Sequence, residues 1–340
     1  MDLQATYLTA LARCAPDVLV REHVRADMPR NVVAIGKCAG LLFDGVALVH
    51  EVASAFVVVP EGYPVGPMGP MGLMIGGHPH YTTASFEAGR ALLEFVDAHD
   101  DILFLISGGG SACVEVSLID EDSAIAKNAE LIASGMTIAE INAERRKISA
   151  IKGGKLAERV RGRAVTLVYS DVSTGALHDV ASGPTIPGSE AILVADNTTL
   201  VRAAAQIIGD NAVVLEEQIE CDVLDAAAML AARARELRKG EVLVAGGEPT
   251  VVVRGNGRGG RCSELAVRFA NLCEYEALFA SSDGVDGNSG AAGIHLPDGL
   301  KPVLRFEESN SYPVAAQIGE PIMIAPTGNN LRDLFLVACV

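Results

Sequence analysis

Short apolar runs recur along the chain, and each one ends in small or polar residues before a helical pattern begins. The clearest runs occupy residues 31–37, 101–112, 164–175, 241–250, 276–287 and 321–330. Continuous apolar strands that alternate with helices indicate a parallel sheet covered by helices on both faces. We therefore predict an α/β fold, and we expect ligands beyond the carboxyl ends of the strands, where open α/β sheets bind them.

The chain has 340 residues, which is roughly the length of two domains. We place the boundary after the charged segment that ends near residue 238, so that the N-terminal domain comprises residues 1–238 and a smaller C-terminal domain comprises residues 239–340. Aromatic residues make up only 4% of the chain, and none is Trp. The cores must therefore consist of Ala, Val, Leu and Ile, which suits closely packed β/α layers.

Charge and cysteine usage argue against several classes of protein. A formal net charge of −16 does not suit a chain that coats nucleic acid or an anionic membrane. The seven cysteines include no C-x-x-C pair, which fits neither a disulfide framework nor a zinc knuckle. The N-terminus has the pattern of an amphipathic helix rather than a signal peptide, and no run of about 18 apolar residues occurs. We expect a cytoplasmic protein with neither nucleic acid nor membrane as a partner.

The segment SGGGSA follows the apolar strand ILFLI. Its three consecutive glycines let the backbone turn N–H groups toward a ligand, and a following helix would add its positive end. We predict an anion-binding loop that consists of Ser107, Gly108, Gly109, Gly110 and Ser111. The alternative for this segment is a tight strand-to-helix turn. Lys37 also follows a strand and opens a helix; its ammonium would neutralise a transferring phosphoryl group, and the alternative is a solvated lysine.

The segment TIAEINAERRKISAIKGG predicts a helix with a polar stripe. Thr137 and Glu140 form a capping-box pattern at its start, and Gly153 with Gly154 marks its end. The polar side chains follow each other at helical spacing, at Asn142, Arg145 or Arg146, Ser149 and Lys152. A solvated face is the alternative, but this stripe is cationic and amide-bearing in an acidic protein. We therefore predict substrate or nucleotide contacts for Asn142, Arg145 and Lys152.

Two acidic loops follow predicted strands. The first, SDVSTGALHDV, contains Asp171, His178 and Asp179, and the second, SSDGVDG, contains Asp283 and Asp286. A carboxylate at the carboxyl end of a parallel strand is well placed for Mg²⁺ or for a substrate hydroxyl. We predict Asp171 and Asp283 as metal ligands, and Asp171 also as a catalytic residue. Ordinary Asp-Gly turns are the alternative, and we prefer that interpretation for Asp286.

The stretch VVVRGNGRGGRCSEL, residues 251–265, combines a glycine cluster with three arginines. Its glycines from Gly255 to Gly260 match the dinucleotide pattern G-x-G-x-x-G, although glycine clusters also close hairpins and cap helices. A dinucleotide loop favours a largely neutral approach to the pyrophosphate. Bidentate arginines instead match phosphate or carboxylate geometry. We therefore predict a loop for phosphates or a sugar-acid carboxylate, served by Arg254, Arg258 and Arg261.

Taken in order, the motifs resemble those of the class II glycerate 2-kinases, which join a glycerate-kinase region to a C-terminal MOFRL domain. They are AIGKCAG, GGHP, FEAGRALLEF, LISGGGSA, ASGMTIAEINAERRKISAIKGGKLA, YSDVSTGALHDVASGPT, GGEPTVVVRGNGRGGR, SSDGVDGNSGAAG and PTGNNLRDL. The resemblance covers about residues 31–335. It implies two α/β domains, a Rossmann-like N-terminal one and a smaller MOFRL-type C-terminal one. It also implies a kinase that uses ATP and Mg²⁺ to phosphorylate the 2-hydroxyl of glycerate or a close hydroxy acid, in an interdomain cleft.

By this resemblance, Lys37 and Arg261 are the candidate cations for phosphoryl transfer. The quoted motifs also imply substrate or nucleotide binding by Glu248, Arg254, Gly257, Arg258, Thr327 and Asn329. The chain departs from the family where Cys262 and Ser263 replace the usual Asn-Gln pair. Two alternatives stay open, namely an NAD(P)H-dependent hydroxypyruvate reductase and a metabolite-binding protein without catalysis. A homodimer also stays open.

Overall fold

The computed structural model describes residues 1–63, 65, 72–172, 177–300, 304–307 and 309–340. The chain forms two compact units. The N-terminal unit is Ala15–Asp196, and the C-terminal unit is Asn197–Val340 together with Met1–Cys14. The segment Met1–Cys14 contains helix α1 (Leu3–Arg13), which packs on the first helix of residues 197–340. The units divide the chain at other positions than the predicted boundary near residue 238, because residues 197–238 pack with the C-terminal strands.

The N-terminal unit contains, within the residues described, a six-stranded parallel sheet. Its strands are β1 (Asn31–Ile35), β2 (Ser54–Pro60), β3 (Leu73–Gly76), β4 (Ile102–Ser107), β5 (Ala164–Tyr169) and β6 (Glu190–Ala195). They lie in the order β3-β2-β1-β4-β5-β6, and every neighbouring pair is parallel. This is the strand order of Rossmann folds, so the predicted parallel α/β fold is confirmed. The order reverses between β1 and β4, which makes their carboxyl ends the topological switch point.

The apolar runs explain why the central strands lie where they do. Every residue of β4 and β5 is buried, as expected for strands that are covered on both faces. The covering helices are α2 (Pro16–Leu19), α3 (Ala39–Val49), α4 (Thr83–Ala98), α5 (Gly110–Cys113), α6 (Glu121–Ala133), α7 (Ile138–Ile148) and α8 (Lys155–Glu158). Two 3₁₀ turns complete the unit, at Val20–His23 and Leu177–Ser182. The core between the layers includes Val33, Leu92 and Phe104.

Helix α7 begins as the sequence predicts and ends earlier. Thr137 accepts a hydrogen bond from the backbone of Glu140, whose carboxylate in turn accepts from the Thr137 backbone, so the predicted capping box is confirmed. The helix ends at Ile148 rather than at Gly153, because Ser149 adopts an extended conformation and bridges to Ser117.

The C-terminal unit contains a mixed sheet. Its strands, in the described residues, are β7 (Ala212–Val214), β8 (Val242–Gly247), β9 (Glu276–Ser281), β10 (Gly293–Leu296), β11 (Glu320–Pro321) and β12 (Asp333–Ala338). Their order is β11-β10-β9-β12-β8-β7. The β7–β8 pair is parallel, whereas β12 is antiparallel to both of its neighbours. The predicted α/β class holds for this unit, but the parallel pairing that the apolar runs indicate does not extend through its sheet, because β10 and β12 both run opposite to β9.

The remaining helices of the C-terminal unit are α9 (Asn197–Ile208), α10 (Val223–Ala234), α11 (Arg261–Ala270) and α12 (Ser311–Ile318). A 3₁₀ turn follows α9 at Gly209–Asn211. Of the apolar run at residues 321–330, only Pro321 lies in a strand, β11. Ile322 still exchanges backbone hydrogen bonds with Gly293 and Ala292, and residues 323–327 follow without regular secondary structure. No helix within the described residues is long and apolar enough to cross a membrane.

Candidate functional site

The carboxyl ends of β1 and β4 meet at the switch point of the N-terminal sheet. The backbone N–H of Lys37 donates to the carbonyl of Gly108 at 2.8 Å, and that of Cys38 donates to Ser107 Oγ at 3.0 Å. A side chain at Gly36 would collide with this contact, because its Cβ would lie 2.4 Å from the Ser107 carbonyl oxygen. The sequence-predicted anion loop and the predicted cation are thus neighbours, which the sequence separation of the two motifs did not reveal.

The side chain of Lys37 crosses the glycine loop. A Cβ on Gly109 would lie 2.8 Å from Lys37 Cγ, and Gly109 also has a φ of +80°, so glycine meets both requirements there. Lys37 Nζ lies 5.5 Å from the centroid of the Tyr63 ring. The His78 ring borders the same loop, and desolvation together with the cations Lys37 and Arg145 lowers the pKa of His78. The loop surface therefore combines flexible glycine backbone with positive charge.

Arg145 is a buried cation with neutral hydrogen-bond partners. Its side chain is 6% exposed. Nε and Nη2 donate to Asn128 Oδ1 at 3.0 and 2.7 Å, and Nη1 donates to Ser111 Oγ at 3.2 Å. Burial lowers the pKa of Arg145, while Tyr81 and Glu115 oppose that effect; an arginine nevertheless stays protonated in proteins. The guanidinium is thereby fixed next to the glycine loop, which carries Ser111.

Lys152, also a predicted binding residue, lies deeper. Its side chain is 1% exposed, and its ammonium forms an ion pair with the equally buried Glu115. The Tyr81 hydroxyl donates to the same carboxylate oxygen, Glu115 Oε2, at 2.9 Å. Burial lowers the pKa of Lys152 and the Glu115 charge opposes this. The predicted polar stripe is therefore not a solvated face, and Lys152 uses its charge inside the protein.

Asn142 is the third member of the stripe and is also buried. Its Oδ1 accepts from Ser182 Oγ at 2.7 Å, and its Nδ2 donates to the carbonyl of Asp179 at 3.3 Å. Ser182 Oγ in turn lies 2.6 Å from Ser111 Oγ. Asn142 is thus connected to the glycine loop through one serine.

The acidic loop after β5 separates into two parts. Asp171 is half-buried directly beyond the strand end, at the sheet edge that carries Lys37. Residues 173–176 lie outside the described residues. Asp179 forms an ion pair with Arg146 at 2.5 Å, and the mostly exposed His178 lies 3.7 Å from Asp179. Asp179 therefore holds the turn together, and the role of Asp171 as a metal ligand or catalytic residue stays a prediction.

Arg261, the second predicted cation, is the first residue of α11 in the C-terminal unit. Nε and Nη2 donate to the two carboxylate oxygens of the fully buried Asp333 at 2.6 and 3.0 Å, and Nη1 lies 2.9 Å from Glu248 Oε1. Burial raises the pKa of Asp333 to about 6 against the opposing effect of Arg261. Burial would lower the pKa of Arg261, but Asp333 and Glu248 more than compensate. The predicted binding residue Glu248 also contacts Arg332 at 3.5 Å.

The glycine loop before α11 is tied to its surroundings by asparagines. The backbone N–H of Gly259 donates to Asn288 Oδ1 at 2.7 Å, and Asn288 Nδ2 donates to the carbonyl of Gly257 at 3.2 Å. The Arg258 guanidinium stacks 4.5 Å above the centroid of the Tyr312 ring. The backbone of Arg254 donates to Ser309 Oγ at 2.8 Å. The dinucleotide interpretation fails here, because β8 ends at Gly247 and no strand runs into the glycines.

The second acidic loop has a structural member. Asp286 is buried, and its carboxylate accepts from the backbone N–H groups of Cys262 and Ser263, both at 2.9 Å. Asp286 therefore caps the first turn of α11, where a carboxylate is stabilising. The sequence favours a structural role for this residue, but as part of an Asp-Gly turn rather than as a helix cap. Asp283 Oδ1 accepts from Ser281 Oγ and from the Val285 backbone.

Two further predicted binding residues follow β11. Thr327 Oγ1 donates to the carbonyl of Ser282 at 2.6 Å, and Asn329 is buried and donates to the carbonyl of Leu11 at 3.2 Å. Both therefore have partners inside the C-terminal unit. Among the residues described, no group of three or more His, Cys, Asp or Glu side chains forms a metal cluster.

The sequence did not predict a role for three buried residues that contact the polar stripe of the N-terminal unit, namely Glu115, Asn128 and Ser182. Glu115 carries a signal, since a lone carboxylate in the apolar run ACVEV requires a buried partner. Asn128 lies in an ordinary helical pattern and gives no signal. Ser182 lies in the quoted segment ASGPT, but its backbone conformation is not readable from residue type.

The fold and the site define a protein with a Rossmann-order sheet and a cationic glycine loop at its switch point, followed by a second α/β unit. Residues 2–210 match the model of a family described as a domain of unknown function (DUF4147), and residues 241–333 match that of the MOFRL family. Together with 30% identity to a D-glycerate 2-kinase over 94% of both chains, these matches show that the chain belongs to the glycerate 2-kinase family with a C-terminal MOFRL domain.

The relatives agree with this assignment. The D-glycerate 2-kinase of Thermotoga maritima is 30% identical over 94% of both chains. A crystal structure of glycerate kinase from the same organism superposes with a TM-score of 0.85 at 27% identity, and the match covers 99% of this chain and 98% of that one. An Agrobacterium vitis protein with a provisional hydroxypyruvate reductase name is 29% identical over 98% of this chain and 92% of its own.

Proposed function

We propose that this protein transfers a phosphoryl group from ATP, with Mg²⁺, to the 2-hydroxyl of glycerate or a closely related small hydroxy acid. One observation carries the proposal: in a member of the glycerate kinase family, Lys37 and Arg145 both border the glycine loop at the switch point. Ligands of open α/β sheets bind at this position. Phosphate and carboxylate are the anionic groups that glycine backbone and cations recognise together.

The proposal gives the predicted cations the following parts. Lys37 stabilises the charge that spreads over the phosphoryl oxygens during transfer, and Arg145 with Ser111 binds an anionic substrate group. Arg261 has three of its five N–H donors on carboxylates, so two remain for a ligand. Glu248, Arg254, Gly257, Arg258, Thr327 and Asn329 stay predicted contributors to binding, and the interdomain location of the active site stays a prediction from the sequence.

Mg²⁺ fits the acidic residues by its chemistry. It takes oxygen ligands and needs only one or two carboxylates when substrate phosphates supply the rest. Asp171 at a strand end offers such a carboxylate, and Asp283 is the proposed second ligand. When bound, the ion neutralises phosphate charge. The cytoplasm is the compartment that we propose, and a homodimer remains open.

The test is release of ADP, measured with a coupled assay across a panel of three- and four-carbon hydroxy acids that includes both enantiomers of glycerate. NADH with hydroxypyruvate serves as the reductase control. We expect ADP release with glycerate or a close homologue, and no NADH oxidation. Oxidation of NADH by hydroxypyruvate together with no ADP release from any acid would contradict the proposal.

A further inference from the structure

The turn after residue 180 has an unusual backbone. Ala181, Ser182 and Gly183 have φ angles of 53°, 62° and 61°, so two side-chain-bearing residues occupy the left-handed region in succession. L-residues other than glycine disfavour this region because Cβ crowds the carbonyl oxygen. Such a conformation persists only where its surroundings over-determine it, and functional sites are enriched in it.

The surroundings of Ser182 meet that condition. Its side chain is completely buried. Its carbonyl accepts from the Gly153 N–H at 3.1 Å and from Arg146 Nε at 3.3 Å. Its hydroxyl contacts Ser111 and Asn142 at 2.6 and 2.7 Å. The residue is thus held by its carbonyl and aimed at the glycine loop by its side chain.

The direction of the hydrogen bonds follows from the fixed acceptor at one end. The carbonyl of Asp179 can only accept, so Asn142 presents Nδ2 to it and Oδ1 to Ser182. Ser182 has one hydroxyl proton and donates it to Asn142. Ser111 must then donate its own proton to Ser182, which leaves its lone pairs for the donor Arg145 Nη1. All hydrogen bonds of this series therefore point in one direction, from the donor Arg145 to the acceptor carbonyl of Asp179.

We propose that Ser182 is a positioning residue that fixes the Ser111 hydroxyl and, through it, the Arg145 guanidinium for an anionic substrate group. The inference rests on the proposed function for the identity of the substrate, but not for the existence of the anion site. Without the Ser182 hydroxyl, Ser111 can turn its proton toward Arg145, and a donor that faces a cation no longer holds it. The strained turn is the means by which the hydroxyl reaches the loop.

The test compares Ser182→Gly with Ala181→Gly. Both variants place glycine at a left-handed position and remove one buried Cβ group, but only the first removes the hydroxyl. Dissociation constants for D-glycerate and for inorganic phosphate are measured by calorimetric titration, with circular dichroism and thermal unfolding as checks of folding. We expect Ser182→Gly to raise the dissociation constant of at least one anion about tenfold, the value of roughly one hydrogen bond. The dissociation constants of Ala181→Gly should stay within about twofold of those of the parent protein.

A steady-state readout separates positioning from a structural defect. The KM for the affected substrate should rise with the dissociation constant while kcat changes by less than about threefold, the pattern of lost uniform binding. In a Ser111→Ala background, Ser182→Gly should have little further effect, because the residue through which it acts is gone. Full additivity of the two substitutions would contradict the inference.

Other outcomes also test the role of Ser182. If Ser182→Gly does not fold, Ser182→Ala removes the same hydroxyl, keeps the Cβ group and should weaken anion binding in the same way. Equal affinities of Ser182→Gly, Ala181→Gly and the parent would overturn the inference, as would a parent protein that binds neither anion. If no acid of the panel releases ADP, the proposed kinase activity fails, whereas the two titrations still decide the role of Ser182.

Discussion

Two arginines, Arg145 in the N-terminal unit and Arg261 in the C-terminal unit, make the same number of guanidinium contacts. Their partners differ in charge. Each engages three of its N–H donors. The partners of Arg145 are an amide and a hydroxyl, whereas those of Arg261 are the carboxylates of Asp333 and Glu248. Neutral partners orient a cation without neutralising it, and carboxylates do both.

This difference indicates how much positive charge each arginine can offer to a bound anion. Arg145 keeps a positive potential beside the glycine loop, and the buried pair of Lys152 with Glu115 nearby is internally balanced. Arg261 is the centre of a network in which two carboxylates surround one guanidinium, so it supplies directed donors rather than net charge. We therefore expect substrate anions to depend on Arg145 for charge and on Arg261 for geometry and for the stability of its unit.

The largest expected effect concerns Lys37, which borders the same glycine loop as Arg145. Lys37→Met should lower kcat by about two to three orders of magnitude, because a preorganised donor to developing charge contributes about 3 to 4 kcal/mol. Nucleotide affinity should change much less. Steady-state ADP release measures both. Lys127→Met, at an exposed lysine of α6 paired with Glu130, is the control and should resemble the parent. Normal turnover of a folded Lys37→Met protein would show that the lysine is only a surface residue.

Arg145→Met should have the next largest effect. Loss of a charged hydrogen-bond donor should raise the dissociation constant of one substrate anion by about 10- to 100-fold, from about 1.5 to 3 kcal/mol. The midpoint of thermal unfolding should also fall, because Asn128 Oδ1 is left buried without its donors. Unchanged affinity for both substrates would remove Arg145 from the site.

Arg261→Lys sharpens the comparison because it keeps the positive charge and removes the planar guanidinium, which donates to two carboxylate oxygens at once. Lysine cannot span both oxygens of Asp333 and reach Glu248 as well. We expect kcat to fall about tenfold or more with substrate affinity little changed, and the free energy of unfolding to fall by roughly 2 to 3 kcal/mol, since a buried carboxylate loses part of its pairing. Chemical denaturation and the ADP assay measure the two effects. Activity within twofold of the parent would contradict the predicted role of Arg261.

The smallest expected effect is a pH dependence of stability that arises from Asp333. Its pKa in the folded protein is raised from 3.8 to about 6, so between these values the folded state binds more protons than the unfolded state. Stability from this group is therefore fully present below about pH 4 and declines as the pH rises through about 6. Asp333→Asn should remove this decline, which denaturant unfolding across that range would detect. A difference between parent and variant that is constant with pH would refute the assignment.

Several parts of this molecule could be predicted because they depend on local chemistry. The apolar runs predicted strands β1, β4 and β5 of the N-terminal unit, and the residue types Thr137 and Glu140 predicted the start of α7. SGGGSA and Lys37 were both predicted as anion-site elements from their positions after strands. Their proximity depends on the strand order, and sequence patterns give no direct information on that order.

Other parts depend on contacts between distant residues. The antiparallel entry of β12 and the packing of α1 with the C-terminal unit both join the ends of the chain to its middle. The left-handed conformation of Ser182 contradicts local preference, so it depends on distant contacts such as those of Gly153 and Arg146 with its carbonyl. Whether an arginine faces an amide or a carboxylate likewise depends on which side chain the fold brings opposite to it.

The most direct test of this account is calorimetric titration of inorganic phosphate and D-glycerate into the parent protein, Arg145→Met and Arg261→Met, with each protein shown to be folded. We predict that Arg145→Met loses about tenfold or more in affinity for at least one anion, whereas Arg261→Met loses less than about threefold for both, because carboxylates already neutralise the charge of Arg261. Loss of anion binding in Arg261→Met with unchanged binding in Arg145→Met would contradict it.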